Sequence, residues 1–189
     1  NRAILLERLG LLYRASHQYE LAVETFQQAA QLDSASAARA AAQVVDTWRQ
    51  AGEFARAEQE AEAALKKYPD NRTVKIVRAS LLAELGRTEE AAAATRQLLD
   101  GKSDRETYLA LAQIYDKGKK YSEMAQALDE AYRLSESSEE KEGVHFMRGA
   151  MYEKMQKIDL AEAEFRKVLA INPDNAAALN YLGYMLADR

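Results

Sequence analysis

Residues 6–29, LERLGLLYRASHQYELAVETFQQA, contain the pattern that decides the fold of this chain. Positions i, i+3, i+4 and i+7 of one helical face are occupied in the first half by Leu6, Leu9, Gly10 and Tyr13. After a polar break at residues 16–18, a second helical face is predicted from Tyr19, Ala22, Phe26 and Ala29. The stretch therefore predicts a hairpin of two helices.

A small residue followed three positions later by a large apolar one recurs along the whole chain. The pairs are Gly10/Tyr13, Val45/Trp48, Ala79/Leu82, Ala112/Tyr115, Gly149/Tyr152 and Gly183/Leu186. Their first members lie 35, 34, 33, 37 and 34 residues apart. A period in this range indicates a repeat array, in which each unit buries its apolar face against its neighbours. An ordinary helical bundle with accidental periodicity is the alternative, and six spaced recurrences argue against it.

The composition fits a helical array. Apolar residues make up 48% of the chain and charged residues 30%, and only two prolines and eight glycines occur in 189 residues. Such a composition favours helices over sheets that depend on tight turns. No apolar run reaches the length of about 18 residues that a membrane span needs, so no membrane insertion is predicted.

Charge and residue usage argue against several classes of function. The formal net charge is −4 without a dense Lys/Arg tract, which disfavours nucleic acid as a partner, including recognition by RNA-reading helical repeats of about 35 residues. The absence of cysteine excludes disulfides and thiolate metal sites. No catalytic motif is present, and His17 and His145 are interpreted as surface or helix-capping residues in different repeats. No catalytic residue, metal or cofactor is therefore expected.

Helix breaks are predicted within the first four units, and helix caps are predicted between units. The hairpins of the second to fourth units turn at residues 51–53, at Gly86 and at residues 117–119. Residues 103–106 have the S-x-x-E form of a capping box that would open the fourth unit. The segment 135–141 accounts for the longest interval, and it is interpreted as one extra helical turn with Ser137 or Ser138 as N-cap. A flexible hinge or a modification site is the alternative for this segment.

These residues resemble the tetratricopeptide repeat, a helix-turn-helix unit of about 34 residues. The family pattern is matched by Leu6, Leu9, Gly10, Tyr13, Ala22, Phe26 and Ala29, and again by Gly149, Tyr152, Ala161, Phe165 and Pro173. Val45 and Ala79 stand where glycine is usual, and Met124 stands where alanine is usual. The chain looks similar to bacterial multi-repeat proteins of this family.

The resemblance implies an all-α fold, a right-handed α-solenoid of five repeats plus one extra helix. It predicts one array over residues 1–189. The repeats are expected at residues 3–36, 37–70, 71–104, 105–141 and 142–175, with the first helix of a sixth repeat at 176–189.

In that family the first helices of the hairpins line a concave groove. By position, one groove row contains Glu7, Ala42, Ile76, Leu109, Phe146 and Asn180, and a neighbouring row contains Leu11, Asp46, Ser80, Gln113, Ala150 and Tyr184. A peptide or helix of a partner is predicted to bind an apolar strip that we call the groove strip. Its residues are Ile76, Leu109, Phe146, Met147, Asn180, Tyr181 and Tyr184.

The alternative for the groove strip is that its side chains fill gaps between adjacent first helices. Alanine at Phe146 and Tyr184 distinguishes the two roles. Loss of partner binding at an unchanged melting temperature indicates a groove, whereas a lower melting temperature alone indicates packing.

Charged positions on the first helices give two weaker signals. A third row changes from Arg14 and Arg49 to Asp116 and Glu153, and it could orient a ligand, although such rows are usually solvated faces. The carboxylate clamp of heat-shock-chaperone cofactors needs lysine and asparagine at matching slots. Glu7 and Leu11 stand there instead, so a chaperone-tail receptor is not expected.

The two terminal helices are apolar on nearly all sides. The first contains Ile4, Leu5, Leu6, Leu9, Leu11, Leu12 and Tyr13, and the last contains Leu179, Tyr181, Leu182, Tyr184, Met185 and Leu186. Terminal repeats normally have a polar outer face. Both ends are therefore predicted to be covered, either by further repeats of the parent protein or by a neighbouring copy through self-association.

The function predicted from the sequence is a non-catalytic protein–protein interaction scaffold with a protein or peptide partner of unknown identity. The alternative is a substrate-recruiting accessory domain of a larger enzyme such as a glycosyltransferase or a protease. The chain begins at Asn1 without a signal-like segment, so it is interpreted as part of a longer protein. Cytoplasmic and periplasmic locations are both compatible with these features.

Overall fold

The computed structural model describes residues 2–187, and the regular elements in that range are eleven α-helices. They are α1 (Arg2–Ala15), α2 (Tyr19–Leu32), α3 (Ala37–Gln50), α4 (Phe54–Lys67), α5 (Arg72–Glu84), α6 (Thr88–Arg96), α7 (Asp104–Lys117), α8 (Tyr121–Arg133), α9 (Ser138–Lys154), α10 (Ile158–Ile171) and α11 (Ala176–Ala187). The described part of the chain therefore has the predicted all-α class.

The chain divides into two compact units between Leu98 and Leu99. In the first unit α1/α2, α3/α4 and α5/α6 form three hairpins, and α3 also packs on α2 and α5. In the second unit α7/α8 and α9/α10 form two hairpins, and α11 packs on α10. Five hairpins and one additional helix within residues 2–187 agree with the predicted count.

Each hairpin turns through one residue with a left-handed backbone. These residues are His17 (φ 60°), Gly52 (φ 75°), Gly86 (φ 75°), Lys119 (φ 55°) and Gln156 (φ 58°). Each follows its small first-helix residue by seven positions. Glycine adopts this conformation readily, whereas other L-residues adopt it at a steric cost. The four predicted breaks are confirmed, including the two in which the non-glycine residues His17 and Lys119 occupy the strained position, whereas the turn at Gln156 is not among the predictions.

In two hairpins a glycine on the first helix allows a phenylalanine ring of the second helix to pack directly on it. A Cβ atom added to Gly10 would lie 2.7 Å from the ring of Phe26, and one added to Gly149 would lie 2.8 Å from the ring of Phe165. Both rings are completely buried. Carbon atoms overlap at these distances, so a side chain at either glycine would displace the ring. We call each of these pairs a glycine–phenylalanine lock.

In every hairpin the residues at these two positions lie sixteen residues apart, and their side chains differ in size. The pairs are Gly10/Phe26, Val45/Ala61, Ala79/Thr95, Ala112/Leu128 and Gly149/Phe165, and every member is buried. Glycine is followed by phenylalanine both times, whereas valine, the largest first residue, is followed by alanine. Because the interior is close-packed, a smaller residue on one helix leaves room for a larger one on the other.

Helix caps confirm one part of the sequence analysis and correct another. The Ser137 side chain accepts a hydrogen bond from the backbone N–H of Glu140, and the Glu140 carboxylate in turn accepts one from the backbone N–H of Ser137, which completes a capping box. The predicted box at Ser103 and Glu106 is wrong. The Ser103 side chain makes no cap hydrogen bond, and its backbone N–H donates to the Asp100 carboxylate instead of to Glu106.

The capping box at Ser137 explains the longest repeat interval. Helix α9 has 17 residues, whereas α1 and α7 each have 14. The additional turn predicted for residues 135–141 is confirmed, and α9 begins inside the range expected for the fourth repeat. The extension lies at the N-terminus of α9, well before Gly149, so the lock with Phe165 keeps its spacing.

Candidate functional site

The first unit has a cleft of about 210 Å³ between its first helices α3 and α5. It is lined by Ala42, Gln43, Asp46 and Arg49 from α3 and by Thr73, Ile76, Val77 and Ser80 from α5. Ile76 is 45% exposed, whereas Val77 beside it is 9% exposed. The cleft therefore combines an accessible apolar side chain with polar side chains, on the surface where the resemblance implies a groove.

Ion pairs join the three first helices at this surface. Arg14 Nη1 on α1 donates to Gln43 Oε1 at 2.8 Å and to Asp46 Oδ2 at 3.0 Å on α3. Asp46 Oδ1 accepts from Arg49 Nη2 at 2.7 Å, and Arg49 Nη1 donates to Glu84 Oε2 on α5 at 2.6 Å. These bonds fix one edge of the cleft because three of its lining residues, Gln43, Asp46 and Arg49, are held in position.

The charges of this network are compensated inside the chain. Burial lowers the pKa of Arg49, but its hydrogen bonds to Glu84 and Asp46 raise the pKa above its ordinary value. In the second unit Lys154 Nζ donates to Asp116 Oδ2 at 2.6 Å, and this bond raises the pKa of Lys154. Arg14, Arg49 and Asp116 therefore do not present the open gradient of charge that the sequence suggested.

Phe146 and Tyr181 of the groove strip belong to an aromatic cluster in the second unit. The ring of Tyr181 stacks on Phe165 with centroids 4.8 Å apart and an interplanar angle of 12°. The ring of Phe146 meets Phe165 edge-on at 5.6 Å and Tyr181 at 6.0 Å. Both residues are half-buried against the core that contains Phe165. They contribute to packing, and their role in binding stays a prediction.

The other members of the groove strip differ in accessibility. Leu109 and Met147 are half-buried, whereas Asn180 is exposed and Tyr184 is 75% exposed. Ile76 belongs to the first unit and the remaining six residues to the second. Ile76 and Tyr184 are therefore the large side chains of the strip that can be changed without opening a core.

His145 is buried, which corrects the interpretation of this residue as a surface or capping histidine. It is 8% exposed, and its Nδ1 lies 2.7 Å from Glu164 Oε2 on α10. Because a carboxylate only accepts, the proton of this hydrogen bond is on Nδ1. Lys167 Nζ donates to the other oxygen of Glu164 at 2.8 Å. His17, by contrast, is exposed in its turn as predicted.

The Glu164 carboxylate makes the stability of the second unit depend on pH in the acidic range. Burial raises the pKa of Glu164, but hydrogen bonds from Lys167 and His145 lower it below the ordinary value of 4.5. A depressed native pKa stabilises the fold above the unfolded value, and this stabilisation is lost as the pH falls below about 4.5 through the native pKa. We expect Glu164→Gln to make the melting temperature depend less on pH between about 5 and 3.

A matched control is Glu130→Gln on α8, because Glu130 pairs with Arg133, whose side chain is 65% exposed. Exposed ion pairs contribute little to stability, so this variant should follow the wild-type melting curve at each pH. An unchanged acid dependence in Glu164→Gln would show that the buried pair is not linked to proton binding.

A second cleft, of about 180 Å³, lies among α2, α3 and α4. Six of its twelve lining residues are alanines, and Gln27, Glu60, Lys67 and Tyr68 are its polar ones. The sequence analysis did not identify this cleft. A run of small residues at consecutive helix contacts is the signal that could have indicated it.

Residues 2–187 contain neither a candidate membrane span nor a candidate metal cluster. No helix in that range combines the length and the apolar character that a bilayer span requires. In the same range no group of three or more His, Asp or Glu side chains is arranged to hold a metal ion.

Family comparisons match most of the chain. The family described as the Psidin N-terminal TPR repeats region matches residues 42–167, and the family described as tetratricopeptide repeat matches residues 7–72 and 146–189. The chain belongs to the tetratricopeptide repeat family. Its all-α solenoid fold is the one the sequence predicted, and tetratricopeptide repeats in general form non-catalytic scaffolds for protein interaction.

Similar solved structures are tetratricopeptide repeat folds of low sequence identity. PilF of Pseudomonas aeruginosa superimposes with a TM-score of 0.69 at 20% identity over 95% of this chain and 80% of that one. MamA 41-end from Desulfovibrio magneticus RS-1 gives 0.68 at 16% identity over 93% and 98%. The protein TTC0263 of Thermus thermophilus gives 0.66 at 17% over 97% and 99%. At such identities the likeness shows the fold alone.

One curated relative is similar over nearly the whole chain. It is the human protein O-mannosyl-transferase TMTC1, which is 25% identical over 182 residues. The match covers 95% of this tetratricopeptide repeat chain and 20% of the relative. The chain thus spans about a fifth of the length of the curated relative that it matches.

Proposed function

We propose that this tetratricopeptide repeat chain binds a peptide or helix of a partner protein on the surface of its first helices. The observation that supports the proposal most strongly is the cleft between α3 and α5, in which Ile76 remains 45% exposed. Ile76 lines this cleft together with polar side chains, and an accessible apolar side chain in a cleft with a few polar groups fits a binding surface. Tyr184, at 75% exposure, gives the second unit a comparable accessible side chain.

The proposal is tested with peptides selected on the wild-type chain from a phage-displayed library. Their affinity is then measured by fluorescence anisotropy. We expect Ile76→Asp to weaken the selected peptides at least about tenfold, because a charged side chain would be desolvated at the centre of the contact. Peptides that recognise the second unit should respond to Tyr184→Asp in the same way.

Exposed leucines on the second helices provide matched controls. Leu21 on α2 is 42% exposed and Leu160 on α10 is 47% exposed, close to the value for Ile76. Leu21→Asp and Leu160→Asp should leave peptide affinity unchanged, and none of the four variants should lower the melting temperature by more than a few degrees. Equal loss of binding in the leucine variants would contradict a first-helix site.

A second candidate function is substrate recruitment within a larger enzyme. It is favoured by one observation, the similarity to TMTC1, a protein O-mannosyl-transferase of which this chain spans about a fifth. In this candidate the repeats hold a protein substrate while the chemistry takes place in another domain. The full gene that encodes this chain distinguishes the two candidates, because an attached catalytic domain favours the second.

A further inference from the structure

The cleft between α3 and α5 lies inside the first unit and not at an end of the chain. Helix α3 packs on α5 on one side, and Arg14 of α1 donates a hydrogen bond to α3 on the other. Further repeats would extend a solenoid at its ends, so they would not fill a cleft between two first helices that both have their neighbours. The cleft is therefore accessible to a segment of another protein.

The two charged residues that line the cleft, Asp46 and Arg49, already have partners. Asp46 Oδ2 accepts from Arg14 Nη1 at 3.0 Å and from Gln50 Nε2 at 2.8 Å. Arg49 donates to Asp46 Oδ1 from Nε at 2.9 Å and from Nη2 at 2.7 Å, and its Nη1 donates to Glu84 Oε2 at 2.6 Å. We call Arg14, Asp46, Arg49 and Glu84 the cleft network. Its two positive and two negative charges cancel.

The cleft network is partly withdrawn from solvent. Its four side chains are between 14% and 32% exposed. A charged side chain of a partner would lose water on entering the cleft, and the loss is costly unless an opposite charge is available. Such a charge becomes available only when a bond of the network breaks. The network therefore disfavours partner side chains of either charge at this site.

The rest of the cleft offers apolar surface and neutral hydrogen-bonding groups. The uncharged lining residues are Ala42, Gln43, Thr73, Ile76, Val77 and Ser80. Gln43 Oε1 accepts from Arg14, and within residues 2–187 no acceptor is bonded to the amide N–H groups of Gln43 or to the hydroxyl of Thr73. The Ser80 hydroxyl donates to the Ile76 carbonyl at 3.1 Å, which leaves its oxygen able to accept. These groups suit amide and hydroxyl partners around an apolar contact.

Resting on the proposed function, we propose that the cleft network restricts the α3–α5 site to an uncharged segment of a partner protein. One apolar side chain of this segment contacts Ile76, and neutral polar residues lie on both sides of it. Affinity arises from apolar contact and neutral hydrogen bonds, so it is independent of ionic strength. The four network residues determine specificity because they leave no unpaired charge for a charged segment.

The dependence of binding on salt gives the first test. The probes are peptides selected on the wild type whose binding is lost in Ile76→Asp. Their Kd is measured by fluorescence anisotropy in about 0.02 M and about 0.5 M NaCl, between which the screening length falls several-fold. We expect the Kd to change by less than about twofold. Glutamate or lysine in place of glutamine beside the apolar residue of the peptide should each weaken binding at least about fivefold.

Glu84→Gln is the decisive variant because it opens the cleft network at one end. Glutamine has nearly the same shape and still accepts from Arg49, but the network then has one positive charge in excess. The glutamate-containing peptide should bind this variant at least about tenfold more tightly than the wild type at low salt. The gain should disappear in about 0.5 M NaCl. Since the Glu84 side chain is 32% exposed, the melting temperature should fall by no more than a few degrees.

Glu58→Gln is the matched control. Glu58 on α4 pairs with Arg87 at the start of α6, on the second helices, and its removal changes the net charge of the chain by the same amount. This variant should bind the glutamate-containing peptide like the wild type, because the excess charge lies away from the cleft.

Four outcomes would overturn the proposal. A Kd of Ile76-dependent peptides that rises more than about tenfold with salt would mean a charged partner segment. An equal gain in Glu84→Gln and Glu58→Gln would mean that the cleft network does not set the preference. In both cases the peptides still bind, so the proposed function stands. A selection that yields no Ile76-dependent peptide would overturn both. Self-association of the wild type that Ile76→Asp abolishes in sedimentation velocity would make a second copy the occupant.

Discussion

Phe165→Ala is expected to lower the free energy of unfolding of the chain by about 3–5 kcal/mol. The ring is completely buried, stacks on Tyr181 at 4.8 Å and covers Gly149. Alanine removes the ring from between α9 and α11 and leaves a cavity whose aromatic walls, including Phe146, cannot collapse fully. Urea unfolding followed by circular dichroism gives the change in free energy.

Leu160→Ala in the same helix is the control for this prediction. Leu160 is 47% exposed, so its truncation should change the free energy of unfolding by less than about 0.5 kcal/mol. A similar loss in both variants would mean that α10 is stabilised by its helical sequence and not by the aromatic cluster.

Gly149→Val is expected to destabilise the chain by about 3 kcal/mol. The added Cβ would lie 2.8 Å from the ring of Phe165, and this ring cannot move away because Phe146 and Tyr181 hold it at two sides. Helix propensity does not oppose the effect strongly, since valine is only slightly better than glycine in a helix interior. The same urea measurement applies.

The comparison with Gly143→Val isolates the lock from helix propensity. Both glycines lie in α9, but a Cβ at Gly143 meets nothing within 4 Å. We expect Gly143→Val to change stability by less than about 0.5 kcal/mol. In the background of Phe165→Ala the cost of Gly149→Val should nearly vanish, since the ring that it displaces is gone. Additive effects of the two substitutions would disprove direct contact.

Most of the fold could be predicted from the sequence because the small residue of each small-then-large pair lies where the two helices of a hairpin pack together. The turns at Gly52 and Gly86 have a clear local signal. The breaks at residues 16–18 and 117–119 have only a polar segment as their signal, and the turn at Gln156 is not predicted, since the helices on either side impose the left-handed backbone at His17, Lys119 and Gln156. The false capping box at Ser103 shows the limit of a short motif, because Asp100 competes for the same N–H.

The candidate site was less predictable because exposure depends on neighbours that a repeat alignment does not reveal. Ile76 and Phe146 occupy the same row, yet Ile76 borders a cleft and Phe146 packs on Phe165. For this reason Phe146→Ala would lower the melting temperature whatever its role, and Ile76 and Tyr184 are the better positions for testing binding. His145 was misplaced for a similar cause, since its partner Glu164 lies on another helix without any sequence signal.

The additional turn of α9 has a consequence for rearranging this chain. Residues paired across a hairpin keep a separation of sixteen, whereas the small residues of successive first helices lie 33 to 37 residues apart. Length variation therefore collects at the junctions, such as residues 134–137, and is absent between the two helices of a unit. Each hairpin is therefore a structural unit with a constant internal spacing of sixteen residues. Recombination sites, tags or grafted loops should be placed at the junctions, because a change in length there does not alter the spacing of the paired residues within any hairpin.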